Sequence, residues 1–289
     1  MNARAGSLPV IRGLTVAYRL SAIAAVLLVV TSVAGLLFGQ RGLYRPDPQT
    51  LPTFLGQDGI TLLVGLPLLV GSMWQARRGS LRGLLLWPGP LFYFAYSYAY
   101  YLLSPEFNVL YLVYIVVAST SAYALLYLLL SIDAEGVRAR FADRTPTRLA
   151  GGFLVVMALL IAGKWVAMIV SDLISGTAPS RVELGVWPMD LGIAFPAMFW
   201  GGVWLWRKES LGYLAGGLLL VKAASVGLTL VVNTWLVTHW GVPADPMLPA
   251  YAAVGLGGLA LTVAYLRGVA PSPPRARDES GLRVGSANA

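Results

Sequence analysis

The sequence contains no cysteine and a single histidine, His239. Disulfides, thiolate metal sites and a cysteine nucleophile are therefore excluded. A bis-histidine haem and a multi-histidine zinc centre are excluded by count. Charge is also scarce: 12% of the 289 residues are Asp, Glu, Lys or Arg, against about 25% in an ordinary soluble domain. No apolar stretch holds paired carboxylates, so an intramembrane aspartyl protease is excluded. The aspartate-rich motifs of membrane prenyltransferases are missing. No serine in an apolar stretch has a histidine to activate it, and there is no glycine-rich phosphate loop. No cofactor or metal is expected from this residue set.

What the chain does have is apolar length: 57% of its residues are hydrophobic. Eight segments read as membrane spans, at 18–39, 59–76, 83–103, 109–131, 149–171, 190–206, 211–237 and 248–267. Each approaches the ~17–25 residues that a spanning helix needs. Helix is the conformation expected of them, because lipid cannot satisfy a free backbone. The first segment has an apolar core longer than the ~7–15 residues of a signal peptide, and it reads as a retained span.

Arginine and lysine give an orientation. With a cytoplasmic N-terminus, sixteen basic residues fall inside, including Arg77, Arg78, Arg138, Arg140, Arg207 and Lys208. Only Arg41, Arg45 and Arg181 fall outside. The positive-inside rule then places both termini in the cytoplasm of a bacterial-type inner membrane. The net charge of +8 follows from that topology rather than from nucleic-acid binding. The tail 270–289, with Pro271, Pro273 and Pro274, reads as disordered.

Landmarks recur at a near-constant offset. Arg19-Leu20 and Arg148-Leu149 open spans one and five, 129 positions apart. Pro67 and Pro196 are also 129 apart, and Ser80-Leu81 and Ser210-Leu211 are 130 apart. Asp58 and Asp190 precede spans two and six at an offset of 132. The pattern predicts an all-α bundle of eight spans built from two parallel four-helix repeats, 1–147 and 148–269. The halves would be related by a pseudo-twofold axis along the membrane normal.

Two lysines lie inside spans. Lys164 is 16 residues past Arg148 and Lys222 is 14 past Lys208, so roughly 24 and 21 Å into the membrane at 1.5 Å per residue. A charge at that depth costs several kcal/mol unless it is paired or wetted, so it marks an internal site. For Lys164, snorkelling to the outer interface is the alternative. Ser225, Thr229 and Asn233 follow Lys222 at helical spacing and form one polar stripe; the competing role of such residues is helix–helix adhesion. The repeat counterparts of the lysines are placed near Leu36 and the Trp87-Pro88 stretch, which carry no charge.

Tyr93, Tyr96 and Tyr114 are candidate cavity walls, since buried phenols need partners. Tyr100, Tyr101 and Tyr111 read instead as a headgroup-level aromatic belt. Asp58 and Asp190 are read chiefly as helix caps and secondarily as counter-ions of the lysines. Asp172 is a third candidate counter-ion. Pro88 and Pro90 are expected to kink or interrupt span three.

The leading expectation is small-molecule binding or transport through an outward-facing cavity. Lys222, with Lys164 as a second candidate, would attract an anionic or polar-headed small molecule or lipid. The alternatives are a membrane-embedded enzyme acting on a lipid or isoprenoid, and an assembly subunit without a ligand.

Overall fold

The computed structural model describes residues 8–45, 50–103, 107–239 and 241–270. These form twelve helices, and among the described residues there is no strand, only two isolated bridges. In chain order the helices are α1 (Thr15–Phe38), α2 (Thr50–Ile60), α3 (Leu66–Arg77), α4 (Leu81–Leu86), α5 (Pro88–Leu103) and α6 (Tyr111–Ser131). Then follow α7 (Ala134–Arg138), α8 (Thr147–Ser175), α9 (Arg181–Met189), α10 (Phe195–Trp206), α11 (Ser210–His239) and α12 (Leu248–Arg267). The proline-rich tail lies outside the described residues.

Six helical stretches are long and apolar enough to cross a membrane: Thr15–Arg41, Leu51–Arg77, Tyr111–Ser131, Thr147–Ser175, Ser210–His239 and Leu248–Arg267. This is the character of a multi-pass membrane protein. All eight expected segments are helical, but two fall outside the six. After a turn at Trp87, α5 has only 16 residues. The rod from α9 to α10 carries Glu183, Asp190 and two prolines, which dilute its apolar character.

Two rods share an unusual feature. Between α2 and α3, residues Thr61–Gly65 form a π-turn; between α9 and α10, residues Asp190–Ala194 form another. In each, a backbone N–H bonds five residues back, Leu66 to Thr61 and Phe195 to Asp190. Proline explains both. Pro67 and Pro196 follow directly; each lacks a donor and would crowd the carbonyl four residues earlier in a regular helix. A wider turn relieves that crowding without ending the rod.

Close contacts fix the helix directions. Leu85 lies against Gly217 and Gly89 against Val221, so α4–α5 and α11 run parallel. Gly227 meets Gly255 and Gly258 meets Ala224, so α11 and α12 run antiparallel. Gly151 meets Gly202 and Trp206, so α8 and α10 run antiparallel. The central helix is α11, which packs on α2, α5, α10 and α12. At α11–α12 the backbones touch: a Cβ on Gly227 would lie 2.3 Å from the Gly255 nitrogen. Small residues permit this approach, which in lipid supplies the packing that hydrophobicity cannot.

One end of the bundle is tied by backbone bonds. Val10 bridges to Ile132 and Phe141 to Val269. Arg82 donates to the carbonyls of Leu266 (3.1 Å) and Val269 (3.3 Å). The segment containing α7 therefore clasps the start of α1 and the end of α12. Helix ends bearing Arg77, Arg78, Arg207, Lys208 and Arg267 lie at this same end.

The bundle is not uniformly tight. In α8 the buried residues stop at Ala158. Beyond it Ile161, Ala162 and Trp165 are only partly buried against the core, and Val166, Val170, Leu173 and Ile174 are exposed.

Candidate functional site

Asp190 is the hub of the second half. It is the first residue of the π-turn, not a helix cap, because α9 begins nine residues earlier. The cap of α9 is Ser180, in a capping box with Glu183. The Asp190 side chain is buried (8% exposed) and accepts two hydrogen bonds. Tyr96 donates its hydroxyl to Oδ1 at 2.6 Å, and Trp165 donates its indole N–H to Oδ2 at 2.9 Å. A buried carboxylate requires such donors.

Each lysine lies against one of the two aromatic rings that donate to this carboxylate. Lys222 is 3% exposed, and its Nζ stands 4.2 Å from the centre of the Tyr96 ring and 5.7 Å from that of Phe92. Asp190 is the acidic group whose charge acts on it. Lys164 is half-buried, with its Nζ 4.8 Å from the centre of the Trp165 ring. The two rings that carry the ammonium groups are thus the two rings that donate to Asp190. Cation–π contacts of this type contribute about 0.5–2 kcal/mol, most where water is excluded. Lys164 lies on the loosely packed part of α8, more open than Lys222.

Replacing Tyr96 with phenylalanine keeps the ring under Lys222 but removes a donor from buried Asp190. The expected loss is about 1–3 kcal/mol, read as a lower unfolding midpoint in detergent. An unchanged midpoint would show that the hydrogen bond is not formed in the folded protein.

The polar stripe on α11 continues away from Lys222. Thr229 meets the Tyr93 hydroxyl at 2.9 Å, and Gln57 donates to that hydroxyl at 2.7 Å. The Thr229 hydroxyl donates to the Ser225 carbonyl. Ser225 itself is half-buried, and Asn233 is buried with its Oδ1 unpartnered. These residues fill the junction of α2, α5 and α11.

Asp58 is also buried inside a helix, eight residues into α2, rather than at a cap. It accepts the Tyr44 hydroxyl at 2.7 Å. No glycine here is more constrained than Gly35: a Cβ at that position would lie 1.9 Å from the Asp58 Oδ2, so the carboxyl rests directly on the α1 backbone. Around it stand Tyr98, Tyr101 and Tyr114, packed edge or face on one another at centroid distances of 5.1–5.8 Å. Tyr101 is fully buried and does not form the expected aromatic belt. Tyr114 accepts from Asn108 at 3.3 Å.

Two clefts lie at the bundle end opposite the basic one. The first, of about 510 Å³, is lined by Phe38, Tyr44, Arg45 and Asn108 among others. The second, of about 420 Å³, is almost wholly apolar and lies between α8 and α9, against Ile169, Leu173, Leu184, Trp187 and Leu191. Asp172 is on its wall rather than beside a lysine. Ile169 is one turn past Trp165, and Leu191 adjoins Asp190, so this cleft lies directly beyond the Trp165–Asp190 contact. Trp187 keeps its indole nitrogen buried without a partner.

The sequence reading missed Tyr44, Gln57 and Trp165. Tyr44 sits in a short loop with no periodic signal. Trp165 adjoins Lys164 and could have been marked as a lysine-bearing ring. No known protein family, curated protein or solved structure matches this chain.

Proposed function

We propose that the chain is an eight-span membrane protein of two tandem four-helix repeats, which binds or transports an anionic amphiphile. Several observations support the repeat. The π-turns at Thr61 and Asp190 begin 129 residues apart, matching the offset of Pro67 and Pro196. The helix pairs also interchange: α2 packs on α11, and its counterpart α9 packs on α5. The parallel course of α5 and α11 fits an axis along the membrane normal. At this offset the counterpart of Lys164 is Gly35, next to the expected Leu36, and that of Lys222 is Tyr93 rather than the Trp87-Pro88 stretch.

The basic end of the bundle is the cytoplasmic end of an inner membrane by the positive-inside rule, and the described chain begins and ends beside it, at Val10 and Ala270. Reporters fused after Gly42, Phe107 and Gly176 are expected outside, and those after Gly79 and Ala142 inside. A periplasmic signal from Ala142 would reverse the orientation.

The single observation that carries the ligand class is the shared carboxylate. Lys222 and Lys164 lie against the two rings that donate to Asp190, so two cationic side chains adjoin a cluster that holds one carboxylate. An anion completes the neutralisation that such burial demands. The apolar cleft between α8 and α9 opens beside this charge and suits a hydrocarbon tail. Native mass spectrometry of the purified protein tests the reading. Retention of an anionic phospholipid over a zwitterionic one of equal chains is expected, and equal retention would sink it. The same placement of lysine, carboxylate and phenol beside an apolar cleft also suits an enzyme acting on a lipid. Turnover of the bound lipid, followed by its mass, would separate that second reading from simple binding.

A further inference from the structure

The two oxygens of Asp190 are held from different helices, and we propose that the bond to Trp165 is a gate between the apolar cleft and Lys222. This rests on the reading of Lys222 as the head-group site. Oδ1 takes the Tyr96 hydroxyl from α5, and the Tyr96 ring is the one beside Lys222 of α11. Oδ2 takes the Trp165 indole from α8, and α8 forms one wall of the cleft. Carboxylate and indole together separate the cleft from an ammonium group that is 3% exposed. Released from Asp190, the indole N–H becomes a donor for an oxyanion that enters from the cleft. Lys164, the preceding residue, adds a cation beside it. The Asp190 carboxylate keeps these groups occupied until a ligand anion takes the indole from it.

The surroundings of this bond are built to yield. Trp165 itself is only partly buried, and Val166, Val170 and Leu173 beyond it are exposed. A shift of this part of α8 therefore breaks few contacts. The other half of α8 is fixed, because a Cβ on Gly151 would lie 2.5 Å from the Gly202 carbonyl oxygen of α10. Across the cleft, Pro188 sits inside α9 and offers no N–H to the Leu184 carbonyl. The π-turn begins two residues later, at Asp190, and a Cβ on its Gly192 would meet nothing within 4 Å. A rod with a missing bond and a wide turn bends more readily than a regular helix. Leu184 and Pro188 both line the cleft, so the rod is weakest where the cleft meets Asp190.

The lysines of the chain are Lys164, Lys208 and Lys222. Reductive methylation of the full-length protein in detergent, followed by peptide mass, reads all three together, with Lys208 as the internal reference. In the unaltered chain Lys222 should react far more slowly than Lys208. Trp165→Phe keeps a ring without the donor and should speed Lys222 about tenfold, the effect of one lost hydrogen bond on a local opening. Tyr96→Phe takes a donor from the same carboxylate but leaves the gate shut, so its change should stay within about twofold. Leu184→Trp, added to Trp165→Phe, fills the cleft and should reverse the gain. If Trp165→Phe does not fold, Leu184→Trp alone reports, slowing Lys222 and leaving Lys208 as it was. Equal acceleration in Trp165→Phe and Tyr96→Phe would show general loosening and overturn the gate. So would no acceleration in Trp165→Phe, a Lys222 as reactive as Lys208 in the unaltered chain, or a Leu184→Trp without effect. Lipid retention is measured separately: a chain that fails here yet retains anionic phospholipid loses the gate alone.

Discussion

Replacing Gly227 with valine should cost about 3 kcal/mol or more and abolish the folded bundle at ordinary temperature. The reason is geometric. A Cβ at Gly227 would lie 2.3 Å from the Gly255 nitrogen, 2.5 Å from its Cα and 2.9 Å from the Tyr251 carbonyl oxygen. These are backbone atoms of α12, and none can rotate aside. The helices must separate, and every contact along their shared face opens with them. Since α12 holds α11 from behind, Lys222 would lose its position against α5. Gly163→Val is the control, because a Cβ there meets nothing within 4 Å. Its expected effect is within about 0.5 kcal/mol. Denaturation of both variants in mixed micelles checks the pair. Similar midpoints would mean that the α11–α12 contact does not hold the bundle.

Lys222→Met should leave the protein folded and weaken anionic amphiphile binding about 10- to 100-fold, the value of one charge-assisted hydrogen bond. Methionine keeps most of the volume and still packs on Tyr96 and Phe92. Asp190 keeps the Tyr96 and Trp165 donors, so it is not orphaned. The ammonium is buried without a direct ion pair, so its removal also lifts a desolvation cost. Stability should therefore stay level or rise. A structural lysine would behave in the opposite way, with lower stability and unchanged binding. Lys164→Met should have the smaller effect on affinity, since that side chain is more exposed than Lys222 and its charge is better screened.

These contrasts bear on what the sequence could reveal. All eight apolar segments are helical, because long hydrophobic runs in lipid leave the backbone few alternatives. Their ends were harder to read. The stretches Thr50–Gln57 and Arg181–Met189 are too polar to register as span, yet both are helical. Starting those helices late made Asp58 and Asp190 look like caps, when both are buried mid-rod. The Ser180–Glu183 capping box was a legible signal of the true start of α9. Pro67 and Pro196 were visible as landmarks, but a π-turn depends on how the neighbouring helices support the rod, which no local pattern records.

The stripe of Lys222, Thr229 and Asn233 was legible from spacing alone, because a polar face on an apolar helix must meet protein or water. Its partners were not. Tyr44 reaches Asp58 from a loop, and Trp165 reaches Asp190 from α8. Pairings between distant segments are set by how the helices pack. Lys164 illustrates the limit from the other side. Its depth matched that of Lys222, but α8 is only partly covered at that level, so equal depth did not bring equal burial.

The position of a bound head group is the most direct measurement. The protein is placed in a nanodisc with a brominated anionic phospholipid, and its structure is determined by electron microscopy. The head group is expected within hydrogen-bond reach of Lys222 Nζ, with the labelled chain in the cleft between α8 and α9. Bromine confined to the surrounding annulus, with Tyr96 and Trp165 still closed over Asp190, would contradict the assignment.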